Sequence, residues 1–421
     1  MITNRTVRQL TLIVVGILAT FSIGGGIIAL LAHNWDDFPK VVRIILSFIP
    51  AILGIATFLY SESKYRDSLT WAECSSVFLA LMIGSTIGLV AQVYNMGGSF
   101  EDFLFVWLVM ILPIIYLGNS SATAIFYIGL SLTWLYLTYL NSFRFFFGFG
   151  SGAGNDVLWF WILFLGVVPH LRYHLQPGRI SFRGVTLGWS VAIALCMAAF
   201  IGFSGHRLIN STLLITLVYY IGKEYFGNGN SAWQRPFQSI SILSIFLMTL
   251  IYSGHGLLRF TLERDGYIQS YYGAFDREWQ GEGIPATPYF YYFNLVLLFA
   301  MAFGAGYFFW REKERNSDYN KAILVFPGMI LLAILLQLFE FETTTRILIN
   351  LYLLFMAWWY LREGWRMRLG WLVFFAALVF STTMIGRYFD MDIPFWIKGM
   401  MYLGLGAGLL WFNKIYSEEK A

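Results

Sequence analysis

The chain has 421 residues, of which 58% are hydrophobic and 12% charged, with a mean hydropathy of +0.64. Soluble domains carry about 25% charged residues, so this composition excludes an ordinary water-soluble domain. The net charge of +4 is scattered through apolar sequence and offers no clustered basic face, which excludes nucleic acid as a partner.

Apolar runs follow one another at approximately 11–32, 41–60, 71–94, 103–118, 121–140, 157–171, 185–204, 208–222, 237–256, 288–310, 321–340, 344–361, 368–388 and 396–415. A hydrocarbon layer about 30 Å thick takes about 20 helical residues to cross. Backbone within lipid must pair its own N–H and C=O groups, so the runs predict helices. The expected fold is an all-α polytopic transmembrane bundle of about 12–14 spans, the range set by the short runs at 103–118, 157–171 and 208–222. Many Trp and Tyr stand near run ends, among them Trp35, Tyr60, Trp71, Tyr94 and Trp310, where amphipathic rings favour the headgroup boundary. The first run follows Arg5 and Arg8 and resembles a signal peptide in its charge. It is longer than a signal core and lacks a small-x-small cleavage site, so it reads as a retained first helix. Cys74 and Cys196 are too few for a thiolate metal site, and nothing in the sequence points to a cofactor.

In chain order, the first polar group is Asn34–Pro39. Asp36 and Asp37 precede the second run, where carboxylates suit free helix amides and Pro39 suits a first turn. They read as an interfacial cap; alternatively they join Glu101 and Asp102 in an acidic outer mouth that attracts cations or a basic partner. In the third run Gly84 and Gly88 form a Gly-x-x-x-Gly face that predicts close approach of another helix. Gln92, one turn on, either receives that helix or lines a polar pathway. Glu73 is expected near the inner boundary, within reach of water or of Lys64 and Arg66. Gly148–Gly154 reads as a seam between two helical bundles, 1–147 and 155–421. His170 reads as interfacial.

Ser204-Gly205-His206 and Ser253-Gly254-His255 repeat at the ends of two runs. The repeat is a pair of glycine helix stops, or a duplicated unit whose histidines share a proton or metal. Residues 257–288 form a long outer connection mixing acids with aromatics, predicting a surface helix or a lid. Glu340, Arg346, Arg387 and Asp390 gather near span ends. They fix helix termini, or form a vestibule in which Arg346 and Arg387 hold an anionic headgroup or substrate. No His-Glu-x-x-His, phosphate-binding glycine loop or Gly-x-Ser-x-Gly occurs, and no catalytic residue is assigned.

Three stretches carry a resemblance: His33-Asn34-Trp35-Asp36-Asp37-Phe38-Pro39; Trp71-Ala72-Glu73 through Gly84, Gly88 and Gln92-Val93-Tyr94-Asn95; and Gly386-Arg387-Tyr388-Phe389-Asp390 with Lys398-Gly399, Gly404 and Asn413. Together they resemble a family of predicted bacterial inner-membrane proteins known as a domain of unknown function, over roughly 1–120 and 340–415. The resemblance implies a multi-pass protein of the bacterial cytoplasmic membrane and hands over no binding residues. It also implies a small membrane-anchored companion with a Gly-Asp-Tyr motif.

With the amino terminus inside, 18 of the 28 Lys and Arg residues fall in cytoplasmic segments. That distribution predicts both termini in the cytoplasm. Three functions compete. The first is a transporter or flippase of a small or lipidic substrate, favoured by span number, Gly/Pro interruptions and the repeat. The second is a membrane scaffold or sensing subunit that binds a companion at the outer face. The third is a membrane enzyme using acids such as Glu340 and Asp390 on lipid or glycan.

Overall fold

The computed structural model describes residues 12–20, 22–23, 26, 38–146, 156–176, 180–201, 207–227, 229, 231–254, 257–264, 288–315, 321–367 and 370–390. All regular structure among them is helical. Chain contacts divide the protein into two compact units, Met1–Gly202 and Phe203–Ala421. The glycine-rich stretch 148–154 lies outside the described residues, as do the last expected span and most of the outer connection from 265 onward.

The first unit contains α1 (residues 12–20), α2 (Lys40–Lys64), α3 (Leu69–Val93), α4 (Phe100–Leu117), α5 (Ser121–Phe146), α6 (Asp156–His174) and α7 (Phe182–Ile201). Four of these helices (α2, α3, α4 and α7) and the 121–138 stretch of α5 are long and apolar enough to cross a membrane. Their burial differs: 22% and 28% for α2 and α4, against 44%, 50% and 56% for α3, α5 and α7. The latter three therefore form the interior, and α2 and α4 turn apolar side chains such as Ile45, Ile52, Val109 and Met110 outward. Exposure of this kind belongs in hydrocarbon, where an outward aliphatic side chain meets no water.

Packing of α2 on α3 depends on Gly54. A Cβ there would lie 2.9 Å from the Cβ of Met82 and 3.2 Å from the Leu79 Cα, so the two backbones touch. The Gly84–Gly88 face behaves differently from the expectation. It receives aromatic rings of α4, not a second backbone: Trp107 lies within 2.4 Å of a Gly84 Cβ, and Phe103 lies 3.9 Å from one at Gly88. The Trp107 indole N–H donates to the Ala80 carbonyl at 2.8 Å, which locks the ring in the groove.

Helix ends in this unit follow one device. Asn95 (φ 46°) and Asn119 (φ 42°) are left-handed and stop α3 and α4. In each case the next residue's amide reaches back to a carbonyl of the last turn, Met96 to Ala91 at 2.9 Å and Ser120 to Ile115 at 3.3 Å. This is the Schellman arrangement, and Asn tolerates its left-handed position better than most residues.

The second unit contains α8 (Arg207–Phe226), α9 (Pro236–Tyr252), α10 (Leu257–Arg264), α11 (Pro288–Arg315), α12 (Lys321–Leu338), α13 (Glu342–Arg366) and α14 (Gly370–Asp390). Helix α8 packs on α9, α11 and α12, and α13 packs on α9, α12 and α14. Rings knit these contacts: Tyr220 stacks on Phe308, and Phe375 meets both Phe246 and Tyr360 edge-on. The Tyr352 hydroxyl donates to the Ala322 carbonyl at 2.8 Å, tying α13 to α12. Each expected span from 41–60 to 368–388 falls on one of the helices α2–α9 and α11–α14.

A candidate site around a buried glutamate

The most polar interior point of the first unit is Glu73, in the second turn of α3 and only 3% exposed. The sequence suggested a carboxylate near water with Lys64 and Arg66 in reach. The structure corrects that. Lys64 instead lies over the rings of Tyr60 and Tyr65, at 5.6 and 6.0 Å. Glu73 points inward and pairs with the Arg183 guanidinium, 110 residues further along the chain.

The partners of Glu73 come from the α4–α5 turn. Asn119 ends α4 and Ser120 immediately caps α5, its Oγ accepting from the Thr123 amide at 3.1 Å. Gly118 lets this turn press against α3: a Cβ there would collide with the Ser76 Oγ at 2.1 Å. Pressed into place, the turn offers its donors to Glu73. The Ser120 hydroxyl donates at 2.6 Å, the Ala122 amide at 2.8 Å and the Ser121 amide at 3.2 Å. These are amides that an α-helix leaves unpaired at its start, at the positive end of its dipole. Glu73 thus caps a helix to which it does not belong.

Arg183 is set by α7, whose first turn is capped by Ser181 accepting from the Gly184 amide at 3.0 Å. Besides Glu73, its guanidinium donates to the Asn119 carbonyl at 3.2 Å. The Asn119 side chain in turn lies 2.9 Å from the His174 Nε2 at the end of α6. The rings of His174 and His170 are 4.7 Å apart. His170 is 4% exposed, packed inside the unit near the end of α6. Five helix ends from distant sequence therefore meet at one polar knot.

Beside the knot is a cavity of about 560 Å³. Its polar part includes Glu73, Ser121, His174 and Arg183; its apolar part includes Ile13 and Ile17 of α1 and Ile125 of α5. Such a volume and mixture are typical of small-molecule sites. Gly16 keeps α1 close, since a Cβ there would meet the Cys74 Sγ at 2.6 Å.

The residues singled out from sequence are placed as follows. Asp102 caps its own helix: its carboxylate accepts from the Ser99 amide at 2.9 Å and hydroxyl at 3.1 Å, while the Ser99 Oγ accepts the Asp102 amide at 3.2 Å. Glu101 is beside it in the first turn of α4 and half-buried. Asp36 and Asp37 lie outside the described residues, as do His206 and His255. Gln92 is exposed near the end of α3, and its carbonyl accepts from the Asn95 amide at 3.3 Å. Glu340 is exposed in the α12–α13 turn with φ 63°. There it is the left-handed residue of a third Schellman stop, with the Phe341 amide donating to Leu336 at 2.9 Å. Arg346 is half-buried in the second turn of α13, and Arg387 and Asp390 belong to the last turn of α14. The short α13–α14 connection brings those two helix termini to the same end.

Sequence reading missed Arg183, Ser120 and Ser121 as a group, and also Glu363. Glu363 is fully buried in α13 and meets the exposed Arg366 guanidinium at 2.8 Å. Among the described residues no group of three or more His, Cys, Asp and Glu side chains could hold a metal ion.

Residues 3–124 match a family described as "Predicted membrane protein (DUF2157)". The match includes Glu73, Ser120 and Ser121 and agrees with the resemblance seen around Trp35, Trp71 and Gln92; Arg183 and His174 lie beyond it. No curated protein and no solved structure matches the chain.

Proposed function

We propose that this membrane protein is a transporter or flippase for a small amphiphilic substrate, seated in the cavity beside Glu73 and Arg183. The observation that carries the reading is the pairing, in one cavity, of a buried carboxylate and its half-buried guanidinium partner with an aliphatic wall. Polar groups inside a membrane protein are costly and concentrate where a substrate or ion passes. A packing role alone needs no open volume next to the pair.

Lys64, Arg172 and Arg183 belong to helix termini at this end of the unit, and Arg66 to the α2–α3 turn. By the positive-inside bias that end faces the cytoplasm of a bacterial inner membrane, and both chain termini do too. The substrate is thereby taken up or released at the inner face.

The test is reconstitution of the full chain into liposomes containing fluorescent lipid, with the outer-leaflet fluorophore bleached chemically. The reading expects bleaching to proceed past the half that is initially accessible, faster than in protein-free liposomes. Equal kinetics with and without protein, across anionic and zwitterionic lipids, would contradict it.

A further inference from the structure

Three features of the cavity specify what it binds. First, the acceptor capacity of Glu73 is already used by Ser120, Ser121, Ala122 and Arg183. Second, two polar groups left over can donate. The Ser121 hydroxyl is buried without a hydrogen-bond partner among the described residues, on a side chain only 4% exposed that lines the cavity. The Arg183 Nε is likewise buried and unpartnered among the described residues. A guanidinium N–H cannot accept, so its missing partner must be an acceptor. Third, Ile13, Ile17 and Ile125 give the same cavity an aliphatic side.

We infer that this cavity binds an amphiphile with an anionic, phosphate-type head, received by the Ser121 hydroxyl and the Arg183 guanidinium, and an apolar tail lying along α1 and α5. Buried donors left unpaired are costly, and a ligand that supplies acceptors removes that cost on binding. The Glu73 charge repels the head only weakly, because the start of α5 and Arg183 already surround that carboxylate with donors. Arg172 and Lys64, at the same end, add a long-range attraction for anions. The α5 amides themselves are not the site, since Ser121, Ala122 and Thr123 already donate to Glu73 and Ser120. The inference deepens the carrier reading by naming its substrate class, yet binding is measurable without any transport.

The experiment is calorimetric titration of the purified full chain in detergent with three probes: dihexanoyl phosphatidic acid, dihexanoyl phosphatidylcholine and inorganic phosphate. The phosphatidic acid should bind at least about tenfold more tightly than either of the others, a difference equal to one charge-assisted hydrogen bond. Ser121→Ala should weaken its binding by about tenfold, while the ligand-free unfolding midpoint does not fall, since the variant loses an unpaired buried hydroxyl. Arg183→Lys, which keeps the charge and loses Nε–H and the planar fork, should weaken it further. Equal affinity for the two lipids would overturn the inference. So would phosphate binding as tightly as phosphatidic acid, which would mark a free-anion site, or an unaffected Ser121→Ala. Tight selective binding without flux in liposomes would contradict the carrier reading alone; flux without selective binding would contradict this inference alone.

Discussion

Replacing Glu73 by Gln removes one charge and leaves the side chain's size unchanged, so the loss can be worked from its partners. Breaking a fully buried pair by removing one ion costs about 3–5 kcal/mol. Arg183 is 28% exposed, and water restores part of its solvation, which discounts the pair to about 2 kcal/mol. The anion at the start of α5 adds about 0.5–1 kcal/mol. The amide oxygen of Gln still accepts from Ala122 or Ser121, but its NH₂ faces donors, which costs about 0.5–1 kcal/mol more. The expected destabilisation is therefore about 3–4 kcal/mol. Unfolding of the full chain in mixed micelles, followed by Trp fluorescence against SDS fraction, measures it. Arg183→Gln and the double variant complete a cycle, and the double should cost at least about 1 kcal/mol less than the sum of the singles. If Glu73→Gln unfolds within about 0.5 kcal/mol of the parent, or the cycle is additive, Glu73 and Arg183 are not coupled and the knot described here does not exist.

Gly84→Ala should destabilise by about 1–3 kcal/mol in the same assay. Its Cβ would meet Trp107 at 2.4 Å, and the ring can retreat only by giving up its bond to Ala80; an unchanged midpoint would show that the groove is open. Gly54→Val should also destabilise, by separating α2 from α3, whereas Gly129→Ala, with nothing within 4 Å, should be neutral or gain up to about 1 kcal/mol from helix propensity. Equal effects at the two positions would refute the close α2–α3 crossing. Glu340→Gly should raise stability by up to about 1 kcal/mol, because glycine relieves the left-handed conformation; a loss would mean that the Glu340 carboxylate makes a contact of its own.

How much of this could be read from the sequence differs by level. The helices were legible because lipid demands uninterrupted apolar runs, and α2–α9 and α11–α14 sit where hydropathy put them. Helix boundaries were legible in part: the run expected at 103–118 lies within α4, whose first turn holds Glu101 and Asp102. What could not be read was pairing across the chain. Glu73 and Arg183 each look like an interfacial charge, and only the packing of α5 on α3 and α7 brings them together. The Gly84–Gly88 spacing was visible, but spacing alone does not tell a backbone from a Trp ring as the partner. Glu340 looked like a candidate acid because a carboxylate next to Arg346 suggests chemistry; its role in the fold comes from its φ, which the residue letter does not disclose. One signal was available and unread: Asn119-Ser120-Ser121 is a helix stop followed at once by a helix cap, and so tight a turn delivers free amides to whatever acid packs beneath it.

The proposed seat of the substrate is the cavity beside Glu73 and Arg183. Thr186 lines that cavity on α7, so a Thr186→Cys chain in which Cys74 and Cys196 are alanine reports on it directly. In oriented membrane vesicles, a membrane-impermeant maleimide should label Cys at this position from the cytoplasmic side, and dihexanoyl phosphatidic acid should slow labelling in a saturable way while the phosphatidylcholine does not. Labelling from the opposite side only, or at a rate indifferent to both lipids, would contradict the claim.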